Sequence, residues 1–287
     1  IYRMITSIGK LEKNSNDNVL EEIHQRVHNI LINSLDERFK DVHEWVLNCI
    51  GSFVYYSPYI TGKLWELFPK LLEHLHNNID KTVEYEYIGP AVTSIMNYMQ
   101  RDPETFINVN MPDGNTPFNA VVELISKIMT EAHKCQDTLL HKTGTDLVIG
   151  LLENLHGKID DSIAFIIELL VQEIQKSKER SVKLLIIQGL SMWFAYNSAI
   201  TFQIIEEKGW TQAMFEVWFD ILPQAQYDFE IKRLILGLLA IISCKDWKLP
   251  EIVVQAMSQI FKELVVLCQK AVFIRDKKNK NFEEDGY

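Results

Sequence analysis

The chain has 287 residues, of which 47% are hydrophobic, so it is long enough to bury a sizeable core. Its formal net charge of −10 disfavours direct nucleic-acid binding and suits a receptor for basic partners, although the same charge also serves solubility. The four cysteines lie far apart without a CxxC pair, and no run is apolar enough to span a bilayer, so we expect reduced thiols and no membrane insertion.

The first elements in chain order are a helix end in residues 1–11 and an amphipathic helix in residues 18–35. Polar residues between them, from Asn14 to Asn18, offer N-cap side chains for the second helix. Because the chain starts at Ile1 without an initiator methionine or a signal-peptide pattern, we expect it to be a fragment of a longer protein.

Residues 41–101 predict three helices, each with one wide apolar face. Proline interrupts a helix, so Ser57-Pro58 ends the first of them. Apolar side chains recur at helical spacing in this first helix, and they are Val42, Trp45, Val46, Cys49, Ile50, Phe53 and Val54.

We interpret residues 61–78 as the first helix of a repeat and residues 81–101 as its second helix, so that residues 41–56 close the preceding repeat. Tryptophans are then core residues that space neighbouring helices. This interpretation covers Trp45, Trp65, Trp193, Trp210, Trp218 and Trp247.

An irregular section after Arg101 contains the turn sequence Pro112-Asp113-Gly114. Helical patterns then continue almost without a gap to the end of the chain. They cover residues 118–132, 136–156, 161–177, 179–197, 199–207, 211–222, 229–244 and 250–274.

Two helices occupy roughly 40 residues throughout, which is the period of HEAT and armadillo repeats. The sequence therefore predicts an all-α fold, a HEAT-repeat α-solenoid in which antiparallel helix pairs form a right-handed superhelical arch. We expect residues 1–274 to form a single continuous array of about six helix pairs. Residues 275–287 are charged and are expected to be a disordered tail.

No catalytic constellation, phosphate-binding loop or nucleophile elbow occurs in the sequence. His24 and His28 have the i, i+4 spacing of metal ligands, but no second ligand pair accompanies them. We therefore expect a protein that is not an enzyme and that holds no metal and no cofactor.

Two segments of the chain resemble a known family. Residues 57–75 read SPYITGKLWELFPKLLEHL, and residues 209–224 read GWTQAMFEVWFDILPQ, followed by KRLILGLLAIISC. These strings resemble the C-terminal part of karyopherin-β (importin-β) nuclear transport receptors, and the subgroup they are most similar to contains importin seven and importin eight.

This resemblance implies a nuclear import receptor under Ran-GTP control, present in the cytoplasm, the nucleus and the nuclear pore. Its implied partners are basic protein cargo such as ribosomal proteins and histones, the Ran GTPase, and the Phe-Gly repeats of nucleoporins, with no direct nucleic-acid contact. In this family the Ran site and much of the nucleoporin contact belong to N-terminal repeats, which we expect to lie outside this chain. We expect a monomer.

Basic cargo would be attracted by carboxylates on the polar sides of the second helices. The candidate cargo-facing residues are Asp41, Glu44, Glu84, Glu86, Asp146, Glu153, Asp228 and Glu230, and a candidate acidic tail begins at Glu283, Glu284 and Asp285. Two alternatives stay open at this point: an export receptor of the same superfamily, and a HEAT-repeat scaffold or adaptor that takes no part in transport.

Overall fold

The computed structural model describes residues 17–79 and 87–284, and the side chains of residues 20–79 and 87–277. Within these two ranges every regular element is helical and no β-strand occurs. The helix end expected in residues 1–11 lies outside the described residues. The chain divides into two compact units, Ile1–Cys135 and Gln136–Tyr287.

The first unit consists of seven helices in its described residues. They are α1 (Asp17–Ser34), α2 (His43–Tyr56), α3 (Gly62–Trp65), α4 (Phe68–Ile79), α5 (Ile88–Arg101), α6 (Pro103–Asn108) and α7 (Pro117–Cys135). A short 3₁₀ helix, Glu37–Val42, leads into α2.

The helices of the first unit lie in two rows. Helices α2 and α5 pack side by side and form a second-helix row, while α1, α3, α4 and α7 form a first-helix row. This arrangement agrees with the order of helices expected from the sequence, since α3 and α4 together occupy the place of a first helix and α5 that of its second helix. The expected start of the second helix at residue 81 lies outside the described residues.

The buried face of α2 differs from the predicted stripe. Val46, Ile50, Phe53 and Val54 are buried as expected, and Leu47 and Gly51 join them. Val42 and Trp45 instead lie on the surface, with 43% and 72% of their area exposed. The predicted core role of Trp45 is therefore wrong. The cause is the direct packing of Gly51 on α5, which turns the buried arc of α2 toward Leu47 and Gly51.

The other tryptophans follow the prediction more closely. Trp193 and Trp218 are completely buried, and Trp65, Trp210 and Trp247 are half-buried.

The second unit has helices α8 (Thr138–Asn154), α9 (Ile163–Lys176), α10 (Arg180–Glu207), α11 (Thr211–Ile221), α12 (Asp228–Ser243), α13 (Glu251–Gln255) and α14 (Met257–Glu284). Here α8, α10, α12 and α14 pack successively and form the second-helix row. Helices α9 and α11 pack on α10, and α13 packs on α14, so these three take the place of first helices.

A break inside α10 matches the two helices expected in residues 179–207. Asn197 has non-helical dihedral angles, φ −156° and ψ 92°. Its Oδ1 accepts a hydrogen bond from the backbone N–H of Ile200 at 3.1 Å, so Asn197 acts as the N-cap of the second segment.

Neighbouring second helices come into close contact at small residues. A Cβ atom on Gly237 of α12 would lie 2.7 Å from Cα of Ser191 in α10, and one on Gly189 would lie 3.3 Å from Cγ2 of Thr145 in α8. In the first unit, a Cβ on Gly51 of α2 would lie 2.8 Å from Oγ of Ser94 in α5. We call these three contacts the small-residue contacts.

The predicted fold class, an all-α HEAT-repeat protein, is confirmed. The single continuous array of about six helix pairs stays a prediction, as does the disordered tail. Helix α14 runs to Glu284, ten residues beyond Ile274, where we expected the helical array to end.

The contact at Gly237 yields a stability prediction. Gly237→Ala should lower the free energy of unfolding by about 1–3 kcal/mol, because the new methyl group meets backbone atoms of Ser191 that cannot move alone. The gain in helix propensity, about 1 kcal/mol, is too small to offset this. Urea unfolding followed by circular dichroism measures the change.

Gly62→Ala is the matched control, because no heavy atom lies within 4 Å of a Cβ built at Gly62. We expect its stability to equal or exceed that of the wild type. A Gly237→Ala protein that is as stable as the Gly62→Ala protein would contradict the close contact between α10 and α12.

Candidate functional site

Two candidate carboxylates flank the start of α2. Asp41 lies in the 3₁₀ helix that precedes it, and Glu44 lies in its first turn. Both side chains are exposed, and neither forms an ion pair with another described residue. Their charges are therefore available to a partner in solution.

Glu153 is a third exposed carboxylate, in the last turn of α8. The C-terminal end of a helix carries partial negative charge, so a carboxylate there does not stabilise the helix. Glu153 also has no ion-pair partner within the described ranges. Its charge is thus not compensated by the fold.

Two further candidates are compensated within the second unit. Asp146 of α8 pairs with Lys142 at 2.5 Å and with Nη1 of Arg233 at 3.5 Å. The same Nη1 donates to Oε1 of Gln188 at 3.2 Å, so this network joins α8, α10 and α12. Asp228 pairs with Lys232 at 2.7 Å. These carboxylates contribute less to the attraction of a basic partner than the exposed ones.

Glu230 does not lie on the exposed face that the sequence led us to expect. Its side chain is 7% exposed, and its Oε2 accepts hydrogen bonds from the backbone N–H groups of Gln226 at 2.8 Å and Tyr227 at 3.0 Å. Glu230 thus completes a capping box at the start of α12. Because its carboxylate is buried and hydrogen-bonded at the helix start, Glu230 is no longer a candidate cargo-facing residue.

The remaining candidates lie outside the described residues. This applies to Glu84 and Glu86, to Asp285, and to the side chains of Glu283 and Glu284.

An apolar groove of about 540 Å³ opens on the first-helix row of the first unit. Its walls come from α3, α4 and the segment between α6 and α7, and they include Trp65, Pro69, Val109, Met111, Pro112 and Pro117. The groove is large enough for an aromatic side chain.

One hydrogen bond and two aromatic contacts fix Trp65 in the groove wall. Its Nε1 donates to Oδ2 of Asp102 at 3.0 Å, and its ring centre lies 4.8 Å from that of Tyr98 and 5.6 Å from that of Phe68. The sequence missed this groove. The signal that could have found it is the pair of apolar residues Val109 and Met111 in a segment assigned only to a turn.

The histidine pair considered as metal ligands has structural roles. His24 is completely buried, and its two ring nitrogens form hydrogen bonds with Oγ1 of Thr61 at 2.9 Å and Oγ of Ser57 at 3.0 Å. Nε2 of His28 lies 3.3 Å from Oε2 of Glu66. Among the described residues, His, Cys, Asp and Glu side chains nowhere gather in threes as a metal site would require.

Comparison with known proteins finds two importin-like relatives. The chain is 22% identical over 236 residues to an importin beta-like SAD2 homolog of Arabidopsis thaliana, an alignment that covers 79% of this chain and 22% of that protein. It is 23% identical over 204 residues to a probable importin-7 homolog of Dictyostelium discoideum, which covers 69% of this chain and 18% of that protein. Both relatives are importin-like proteins, and this similarity supports membership of the karyopherin-β superfamily.

The chain spans about a fifth of the length of the two relatives it matches. No family model matches the sequence. No solved structure matches it either. None of the described helices is long and apolar enough to cross a membrane.

The environment of His24 predicts a pH dependence of stability. Burial lowers the pKa of His24 from 6.5 to about 4. Between these values the unfolded chain binds a proton that the folded chain excludes, so stability falls as the pH falls from 6.5 toward 4. The loss from this group amounts to about 3 kcal/mol over the whole interval and about 2 kcal/mol between pH 7 and pH 5.

Urea unfolding at pH 7 and pH 5 tests this expectation. His24→Asn removes the titrating group and should flatten the pH dependence, while the same change at the exposed His133 should leave it as in the wild type. Equal pH dependence in the wild type and the His24→Asn protein would contradict the assignment.

Proposed function

We propose that this karyopherin-β chain is the cargo-binding part of a nuclear import receptor and that it takes basic protein cargo under Ran-GTP control. The receptor binds its partners and carries out no chemical reaction. The membership of the superfamily supports the transport role, and the names of both relatives describe importin-like proteins.

The observation that carries the cargo assignment is the set of uncompensated carboxylates. Asp41, Glu44 and Glu153 are exposed and belong to, or directly precede, second helices. The whole chain also carries a net charge of −10. Lysine- and arginine-rich cargo gains screened Coulomb attraction from such carboxylates, and the attraction weakens as salt is added.

The apolar groove beside Trp65 supports the proposal that the receptor binds a second kind of partner. A phenylalanine side chain is apolar and fits a groove of about 540 Å³ formed by Trp65, Pro69, Val109 and Met111. We assign the groove to the Phe-Gly repeats of nucleoporins. It lies on the first-helix row, whereas Asp41 and Glu44 flank a helix of the second-helix row, so pore contact and cargo binding use different helices of this unit.

Charge reversal tests the cargo assignment. The triple variant Asp41→Lys, Glu44→Lys and Glu153→Lys should bind a lysine- and arginine-rich histone tail peptide on the order of tenfold more weakly at low ionic strength. Its affinity should also depend less steeply on salt, because fewer charge pairs are formed. Fluorescence anisotropy over a salt series measures both quantities.

The control reverses three exposed carboxylates of first helices, Glu22, Glu216 and Glu251. It changes the net charge by the same amount and should retain most of the affinity. If the two triple variants lose affinity equally, the surface of the second helices has no special role and the cargo assignment fails.

The direction of transport is tested on a receptor of the relatives' length that contains this chain. An import receptor releases the histone tail peptide when Ran-GTP is added and is retained on immobilised Phe-Gly repeats, and Val109→Asp weakens that retention. Binding that rises with Ran-GTP would identify an exportin. Failure to bind both Ran and Phe-Gly repeats would identify a scaffold.

A further inference from the structure

Trp45 stands apart from the other tryptophans of the chain. Its indole is 72% exposed, whereas Trp193 and Trp218 have no exposed area. No aromatic or cationic side chain of the described residues packs on its ring. Tryptophan is enriched at protein interfaces, because its ring is large and apolar while its N–H can donate a hydrogen bond.

Trp45 lies at one end of a polar face of α2. Trp45, Asn48, Ser52 and Tyr55 follow one another at i, i+3, i+7 and i+10, so they lie on one side of the helix. We call these four residues the Trp45 face. Tyr55 is 48% exposed, and its ring lies edge-on to Tyr56 at 4.9 Å.

A groove of about 290 Å³ runs beside this face, between α2 and α5. Asn48, Ser52 and Tyr55 form one wall, and Thr93 and Asn97 belong to the other. The Asn97 amide donates to the carbonyl of Gly51 at 2.9 Å and is used by the fold. Asn48 is exposed and forms no side-chain hydrogen bond with the described residues, so its amide can both donate to and accept from a peptide backbone.

The charged residues next to the Trp45 face favour a partner of positive charge. Asp41 and Glu44 precede Trp45 by four residues and one residue, and both are exposed and without an ion-pair partner in the described part of the chain. They repel phosphate and acidic peptides and attract cations. The exposed indole of Trp45 lies in the same helical turn as Glu44, and indole is the aromatic ring that binds cations best.

We propose that the Trp45 face binds an extended, arginine-bearing segment of a partner protein, with a guanidinium group over the indole of Trp45. The backbone of the segment lies in the groove between α2 and α5 and bonds to the amide of Asn48. Asp41 and Glu44 supply the electrostatic attraction. This inference rests on the proposed function and assigns its basic cargo to one surface and to arginine rather than lysine, because a planar guanidinium stacks on an aromatic ring and a compact ammonium does not.

The test uses the intact chain and two short fluorescent peptides, one of alternating glycine and arginine and one of alternating glycine and lysine. We expect the arginine peptide to bind more tightly at low ionic strength. Trp45→Leu should weaken its binding about twofold to fivefold, the range of an exposed cation–π contact, while Trp45→Phe keeps most of the affinity. Phe273→Leu is the matched control, since Phe273 is an aromatic residue of α14 with 69% of its area exposed.

The other outcomes separate this inference from the proposed function. Suppose that the Trp45→Leu protein binds the arginine peptide like the wild type, while the double variant Asp41→Lys and Glu44→Lys binds it weakly. The inference about the Trp45 face is then wrong, and the proposed binding of basic cargo by the carboxylates still holds. If Trp45→Phe loses as much affinity as Trp45→Leu, a contact specific to the indole N–H replaces the cation–π contact. If the wild type binds neither peptide, both the inference and the basic-cargo assignment fail.

Discussion

Neighbouring second helices within each unit approach each other closely at small residues. Gly237 lies against the backbone of Ser191, and Gly51 lies against the hydroxyl of Ser94. Ser94 also donates a hydrogen bond across the same contact, to the carbonyl of Leu47 at 2.9 Å. Contacts of this kind leave no room for rotation of one helix against the next, because a larger side chain at the contact would clash.

This constraint decides which side chains remain for a partner. In α2, the contact through Gly51 turns Leu47 and Ile50 inward and leaves Trp45, Asn48 and Tyr55 at the surface. In α8, the face that meets Gly189 places Thr145 inside the packed row, while Glu153 remains exposed. Within each unit, the candidate cargo-facing side chains are therefore those that remain exposed on second helices after the small residues have been buried.

The fold class could be predicted from the sequence because amphipathic periodicity and proline breaks are local signals. The break at Asn197 and the order of first and second helices could be predicted for the same reason. The rotation of α2 about its axis was not, since it depends on a contact between Gly51 and Ser94, 43 residues apart in the chain. Periodicity placed Trp45 on the apolar stripe, and packing moved it to the surface.

The exposure of the candidate carboxylates was predictable in part, and the differences have physical causes. Exposed Asp41, Glu44 and Glu153 agree with their assignment to polar helix faces. Glu230 has the same sequence character, but it lies at N3 of α12, where a glutamate side chain reaches back to the N-cap. Asp146 meets Arg233 from a helix that is 87 positions further along the chain, and no local pattern reports such a pair.

The central claim is that the exposed sides of the second helices receive basic cargo. Hydrogen–deuterium exchange of the chain, with and without a histone tail peptide, tests it directly. The account predicts slower exchange at the start of α2 and the end of α8 when the peptide is bound, with α1, α4 and α9 unchanged. Protection that is confined to these first helices, at a peptide concentration that saturates binding, would contradict it.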